Sequence, residues 1–347
     1  MGYNLQTDEA LSMNIIILGG GSAGWLAAAY LSQTNKVEIK LPKNSKPIGV
    51  GESTLPGLVK FFDYCGISED DVINKCDGVI KYGIKHHGWH KTDWIHPFPN
   101  NMHAYHLDAL KMIILLEEIT RPRLCKVDNP DLIIDCTGFN SDFSKNKQFG
   151  SYKTLSNNMA LFAPGDSNCQ SITNTFAMDY GWMWNVDLRS RSGNGYVFNN
   201  NFISVNDAIE EFKNKNVGNV KAEDIHAIPF NNRYCLTTWL GNTVSVGLSC
   251  VFAEPLEATG LFLITWAIET IEKLKYKKNK EEIFNRSYVR LCQHVYDFLE
   301  LFYTSSKNDH TEYWRSLKKY HTLNKPKYQI NFFRENYSYK FLNDAAA

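Results

Sequence analysis

The apolar rhythm of the chain changes three times, and each change predicts a different element. Asn14 to Leu18 (NIIIL) is a continuous β-branched run of the kind that forms a buried parallel strand. It runs directly into Gly19-Gly20-Gly21-Ser22-Ala23-Gly24 and the helix-prone LAAAYL, which predicts strand, glycine turn and helix. A second strand is expected over Val37 to Leu41. Further on, Gly181-Trp182-Met183-Trp184 puts two tryptophans two residues apart, so a strand there stands both indoles on one face as a flat wall. Val79 to Lys85, read as a strand, places Lys81 and Lys85 on one face and Ile80, Tyr82 and Ile84 on the other. Leu261, Ile264, Ile268 and Ile271 then recur at helical spacing. Phe284, Tyr288, Leu291, Val295, Phe298 and Phe302 follow at 4-3-4-3-4, which predicts a second helix packed on the first.

Composition narrows the function only by exclusion. The 347 residues are 44% hydrophobic and 21% charged, enough for a large core. Lys+Arg and Asp+Glu balance at 37 each, so no basic field draws in nucleic acid or an anionic membrane. The longest apolar stretches fall far short of the ~20 residues of a membrane span. Residues 1–12 are polar and acidic without signal-peptide order, and read as a leader on a cytoplasmic protein. Eight cysteines without a CxxC pair fit reduced structural thiols rather than a disulfide frame or a zinc site. Six of ten histidines lie between His86 and His106, among Trp89, Trp94, Phe98 and Tyr105. Gly88, Pro97 and Pro99 break any helix there, so the segment reads as an aromatic loop that forms part of a substrate pocket, with no metal expected.

Gly19, Gly21 and Gly24 fall on G-x-G-x-x-G, whose glycines supply a tight turn, close approach to a pyrophosphate and close helix packing. The acidic residue that usually ends the next strand to hold a ribose is replaced by Leu41-Pro42. Gly49-Val50-Gly51-Glu52-Ser53-Thr54-Leu55-Pro56 follows, and Pro255-Leu256-Glu257-Ala258-Thr259-Gly260 precedes the first C-terminal helix. With Gly24-Trp25, the Trp-x-Trp run, Ile134 to Phe139, Arg191 to Tyr196, Val246-Gly247-Leu248, Asp309 and Trp314-Arg315, these motifs run in order across Met13 to Arg315. Together they resemble the flavin-dependent halogenases of the tryptophan halogenase type.

That resemblance implies an α/β flavoprotein with a Rossmann-like FAD-binding fold similar to the flavin monooxygenases. The expected division is a flavin module with a substrate-facing sheet over 13–260 and a helical region over 261–347. It implies that reduced FAD comes from a separate flavin reductase, and that halide captures a flavin hydroperoxide to give hypohalous acid. The acid then passes through a tunnel to a small aromatic substrate. Lys81 matches the catalytic lysine, Glu257 the catalytic carboxylate, and His96 with Phe98 a substrate-stacking pair. Thr259 and Gly260, at a helix start, match halide ligands, and Trp182 with Trp184 the barrier between flavin and substrate. Gly19, Gly21, Ser22, Ala23, Gly24, Gly49, Val50, Glu52, Ser53 and Gly247 are the expected cofactor contacts. Ala258 replaces the family's serine, and Val186-Asp187 its Ile-Pro. The connection over 107–131 and the C-terminal part are shorter than in relatives, which predicts an open site and a substrate other than free tryptophan. A flavin monooxygenase and a non-catalytic flavin-binding remnant are the alternative readings.

Overall fold

The computed structural model describes residues 12–42 and 51–320, so the expected contacts Gly49 and Val50 lie outside the described residues. β1 (Asn14–Leu18) is buried because a β-branched run loses little by being covered on both faces. It pairs in parallel with β2 (Lys36–Lys40) on one side. The short β3 (Gly51–Ser53), β4 (Val79–Lys81), β5 (Gly83–His87), β6 (Trp94–Pro97), β7 (Ala104–Asp108) and β8 (Leu132–Asp135) follow along the chain. β8 pairs in parallel with the other side of β1 and with Thr243–Ser245, which with Trp239–Leu240 completes a five-stranded sheet.

A second sheet has seven strands. Its order is His226–Pro229, Met159–Gly165, Ser192–Phe198, Gly181–Asp187, Thr173–Met178, β5 and β6, antiparallel except where Thr173–Met178 meets β5. β3, β7 and β4 form a small antiparallel sheet beside it. The helices Ser22–Leu31, Thr259–Leu274 and Lys280–Ser305 pack on this frame. Along Lys280–Ser305 all six residues of the 4-3-4-3-4 stripe are buried. The apolar core runs continuously from Met13 and Ile15 through Trp182 to Trp314 and Leu317.

Two local expectations fail. Residues 79–85 are not one strand: the chain breaks at Tyr82, and β4 and β5 belong to different sheets. Lys81 is therefore fully buried, Tyr82 is 52% exposed, and Ile84 points into the core. The histidine-rich segment is not a loop either. Gly88 adopts a left-handed φ of 70° and turns β5 back, and Pro97 sits on the outer strand of the sheet, where a missing N–H costs no ladder bond.

Candidate functional site

The glycine turn is closed on one side and open on the other. A side chain at Gly19 would place Cβ 2.3 Å from the Cys136 carbonyl oxygen, and one at Gly24 would lie 2.0 Å from that of Gly19. A Cβ at Gly21 meets nothing within 4 Å. Gly21 is also the N-cap of Ser22–Leu31 and makes no side-chain cap, so the first N–H groups, around Ser22 and Ala23, remain available to an anion. Gly247, at φ 71°, fits against Ala23, where an added Cβ would come within 2.8 Å. This cradle fits a pyrophosphate on its open side. Glu52 lies on β3, where burial and the nearby Asp108 push its carboxyl up to about 7. Glu38 of β2 accepts from the Val127 N–H at 3.0 Å.

Lys81 ends β4, and its Nζ donates to Ser53 Oγ at 2.7 Å and to the Thr54 carbonyl at 2.9 Å. It lies 5.0 Å from the centre of the Phe98 ring. Burial drives its pKa down to about 7 against the opposing charge of Glu257. Ser53, expected at the cofactor, thus spends its hydroxyl on Lys81 and on Thr173 Oγ1, 2.8 Å away.

Glu257 is buried between two histidines. His96 Nδ1 lies 2.9 Å from Oε2, and His86 Nε2 lies 2.9 Å from Oε1; burial holds the His86 ring below its ordinary value against the pull of Glu257. Burial alone would raise this carboxyl, yet His96 and His86 outweigh it and hold Glu257 down to about 2. His86 is fixed by Thr175 Oγ1 at Nδ1, 2.7 Å away, and by stacking on Trp94 at 3.9 Å. His96 and Phe98 meet edge to face at 6.5 Å, and Phe98 packs with Leu55, Ala104 and Ala258. Ala258 is the N-cap of Thr259–Leu274 and adopts the left-handed conformation at φ 57°. Thr259 Oγ1 is buried without a hydrogen-bond partner, and an added Cβ at Gly260 would meet only open space. An uncapped helix start beside an orphan hydroxyl suits an anion.

The tryptophan wall forms as the alternation requires. Trp182 and Trp184 share a face of Gly181–Asp187 with ring centres 5.9 Å apart. Trp184 lies over Gly195, where an added Cβ would come within 2.0 Å of the ring. Trp182 is pinned by a residue the sequence did not single out. Its Nε1 donates to Glu254 Oε2 at 2.8 Å, and Glu254 also accepts from Asn157, Asn232 and the Tyr303 hydroxyl. Burial raises the Glu254 carboxyl despite these four donors. His86 and Glu254 were missed because their roles depend on partners far along the chain. The one local signal was the period-two alternation that buries Ile84 and His86 on β5. Asp187, in place of proline, is buried and accepts from the backbone N–H groups of Asn168 and Gln170.

The family model described as tryptophan halogenase matches residues 14–123 and 125–345. Tryptophan 6-halogenase ThaL of Streptomyces albogriseolus is 24% identical over 432 positions, covering 92% of this chain and 81% of its own. Tryptophan 7-halogenase RebH of Lentzea aerocolonigenes matches at the same identity and coverage. Since those alignments run longer than this chain, the relatives carry internal segments that it lacks. Among solved structures, BrvH, a flavin-dependent halogenase from Brevundimonas sp. BAL3, superposes with a TM-score of 0.82 at 23% identity, over 92% of this chain and 84% of its own. Tar14, a tryptophan C-6 flavin-dependent halogenase from taromycin biosynthesis, gives 0.83 at 24%, over 94% and 86%. Among the described residues no helix is long and apolar enough to cross a membrane.

Proposed function

The chain belongs to the tryptophan halogenase family, and from that premise we propose that it halogenates an electron-rich aromatic ring through Lys81 and Glu257. It is a flavin-dependent halogenase that uses reduced FAD, delivered by a separate flavin reductase, together with oxygen and halide. The observation that carries the site assignment is the burial of Lys81 beside a carboxylate kept ionised by two histidines.

Bound reduced FAD, with oxygen and halide, supplies hypohalous acid. Gly21, Ser22 and Ala23 offer the backbone N–H groups that hold the cofactor's phosphates, and Gly19 and Gly24 let helix and strand close behind them. Gly247, packed against Ala23, borders the same cradle, and Glu52 and Ser53 on β3 are the further cofactor contacts of this reading. Thr259 and Gly260 receive the halide at the helix start. Trp182 and Trp184 keep the organic ring from the flavin side, so only a small oxidant crosses.

Lys81 spends two N–H groups on Ser53 and Thr54, and the remaining direction of Nζ meets the reacting species. As an ammonium it hydrogen-bonds the hypohalous oxygen; as an amine it takes up the halogen and water leaves. A group near pKa 7 has both forms at neutral pH. The ring then gains the halogen, and its displaced proton passes to Glu257. A ring cation is acid enough to protonate even a carboxylate held at about 2. His96 and Phe98 orient the ring.

The substrate is an indole, phenol or pyrrole other than free tryptophan. What supports this is the missing internal segments and the single helix, Ala109–Thr120, that carries most of the connection from Asp108 to Leu132. The exposure of Tyr82, Ile95 and Met102 between β4 and β7 points the same way. The test supplies FAD, a flavin reductase and chloride, bromide or iodide in turn, with mass spectrometry over indoles, phenols, pyrroles and free tryptophan. Halogenated indole or phenol with little halogenated free tryptophan is expected. Efficient single-position halogenation of free tryptophan overturns the substrate assignment, and hydroxylated product overturns the reaction.

A further inference from the structure

Lys81 terminates a chain of buried hydrogen bonds whose direction is fixed from its far end. His106 Nδ1 lies 2.9 Å from the Asp187 carbonyl, which only accepts, so Nδ1 carries a proton. In the neutral ring Nε2 is then an acceptor, and Thr173 Oγ1, 2.8 Å away, donates to it. Thr173 in turn receives the Ser53 hydroxyl at 2.8 Å, which leaves a Ser53 lone pair facing Lys81 Nζ at 2.7 Å. All four side chains lie on different strands: β4, β3, Thr173–Met178 and β7. His106 and Lys81 are fully buried, and Ser53 and Thr173 largely so.

We propose that Thr173 and His106 are positioning residues that act through Ser53, holding Lys81 as hydrogen-bond donor so that its remaining Nζ direction stays turned to the reacting halogen. Were the chain reversed, the Ser53 hydroxyl would donate to the amine and consume the lone pair needed there. The neutral ring that sets the direction is favoured by burial and by the charge of Lys81, which together drive His106 down to about 3. The groups that face this chain are few. Glu257 acts on Lys81 from the start of Thr259–Leu274, and Lys81 acts on His106. Asp108 on β7 raises Glu52 on β3 and pairs with Arg191 at 2.7 Å. Asp187 contributes its carbonyl, since its carboxylate is taken by Asn168 and Gln170.

The role in halogen delivery rests on the function proposed for Lys81; the direction of the chain does not. The test therefore reads Lys81 itself. The full chain is grown with 13C-lysine, and the Cε resonance of Lys81, identified by its loss in K81A, is followed against pH without flavin or halide. In T173V the Ser53 hydroxyl loses its acceptor and is freed to donate to the amine, so the Lys81 midpoint drops by about 1 unit, the scale of a hydrogen bond to a charged group. T173S restores it, H106L shifts it the same way, and the double variant T173V/H106L moves it no further than T173V. If T173V does not fold, S53A supplies the downward shift. An unchanged or raised midpoint in T173V or S53A, failure of T173S to restore it, or additive shifts overturn the proposal. Shifts as expected, combined with full halogenation by K81A, leave the chain standing and remove Lys81 from the reaction.

Discussion

Burying Lys81 costs folding energy, and that cost must vanish as pH rises. The folded pKa is about 7 against an ordinary 10.5, with burial as the cause. Below pH 7 the amine is charged in both states, so the folded protein carries the whole penalty. Between pH 7 and 10.5 the unfolded chain binds the extra proton and the folded one does not, so stability rises with pH across that window. Lys81→Met removes the titrating group at nearly constant volume. Its loss of the Ser53 and Thr54 bonds is a roughly constant offset, and His106 and Glu257, the groups coupled to its charge, titrate below this window. The stability of wild type relative to Lys81→Met should therefore climb by about 3.5 kcal/mol from pH 7 to pH 10, at 1.36 kcal/mol per pKa unit. Urea unfolding of the two proteins at half-unit pH steps measures it. A difference that stays flat, or falls with pH, refutes the account of Lys81 as a buried amine.

Four further outcomes follow from the same geometry. Trp182→Phe takes one of four donors from buried Glu254 and should destabilise the fold by about 1–3 kcal/mol in urea unfolding. Ala258→Gly relieves a left-handed alanine at the N-cap of Thr259–Leu274 and should stabilise by about 1 kcal/mol, read as a raised melting temperature. Gly21→Ala should fold as wild type but bind FAD at least about tenfold more weakly in a fluorescence titration, since its Cβ fills the open side of the cradle at a cost of about 1.4 kcal/mol or more. Gly24→Ala should instead unfold at lower temperature without added flavin, because its Cβ meets the Gly19 carbonyl at 2.0 Å.

What the sequence made legible was whatever depends on neighbours along the chain. The run Asn14 to Leu18, the glycine turn, the Trp182 and Trp184 face and the stripe from Phe284 to Phe302 are all set by spacings of two to four residues. The break at Tyr82 was not legible, because Lys81 and Lys85 sit at strand spacing while their strands pair with different partners. The histidine-rich segment was obscured by its glycine and prolines, which mark turns and an edge strand here rather than a loop. The pairing of Glu257 with His86 and His96 spans more than 160 residues and has no local signature. The same holds for Glu254 under Trp182 and for the path from Lys81 to His106.

The most direct test of Lys81 as the group that delivers halogen compares wild type, Lys81→Ala and Glu257→Gln with FAD, a flavin reductase and bromide, on the best aromatic substrate found. Each variant should bind FAD as wild type does and lose at least about 100-fold in product formation, the scale of a positioned acid or base. Product formed by Lys81→Ala at the wild-type rate would contradict the account and leave free hypohalous acid as the halogenating agent.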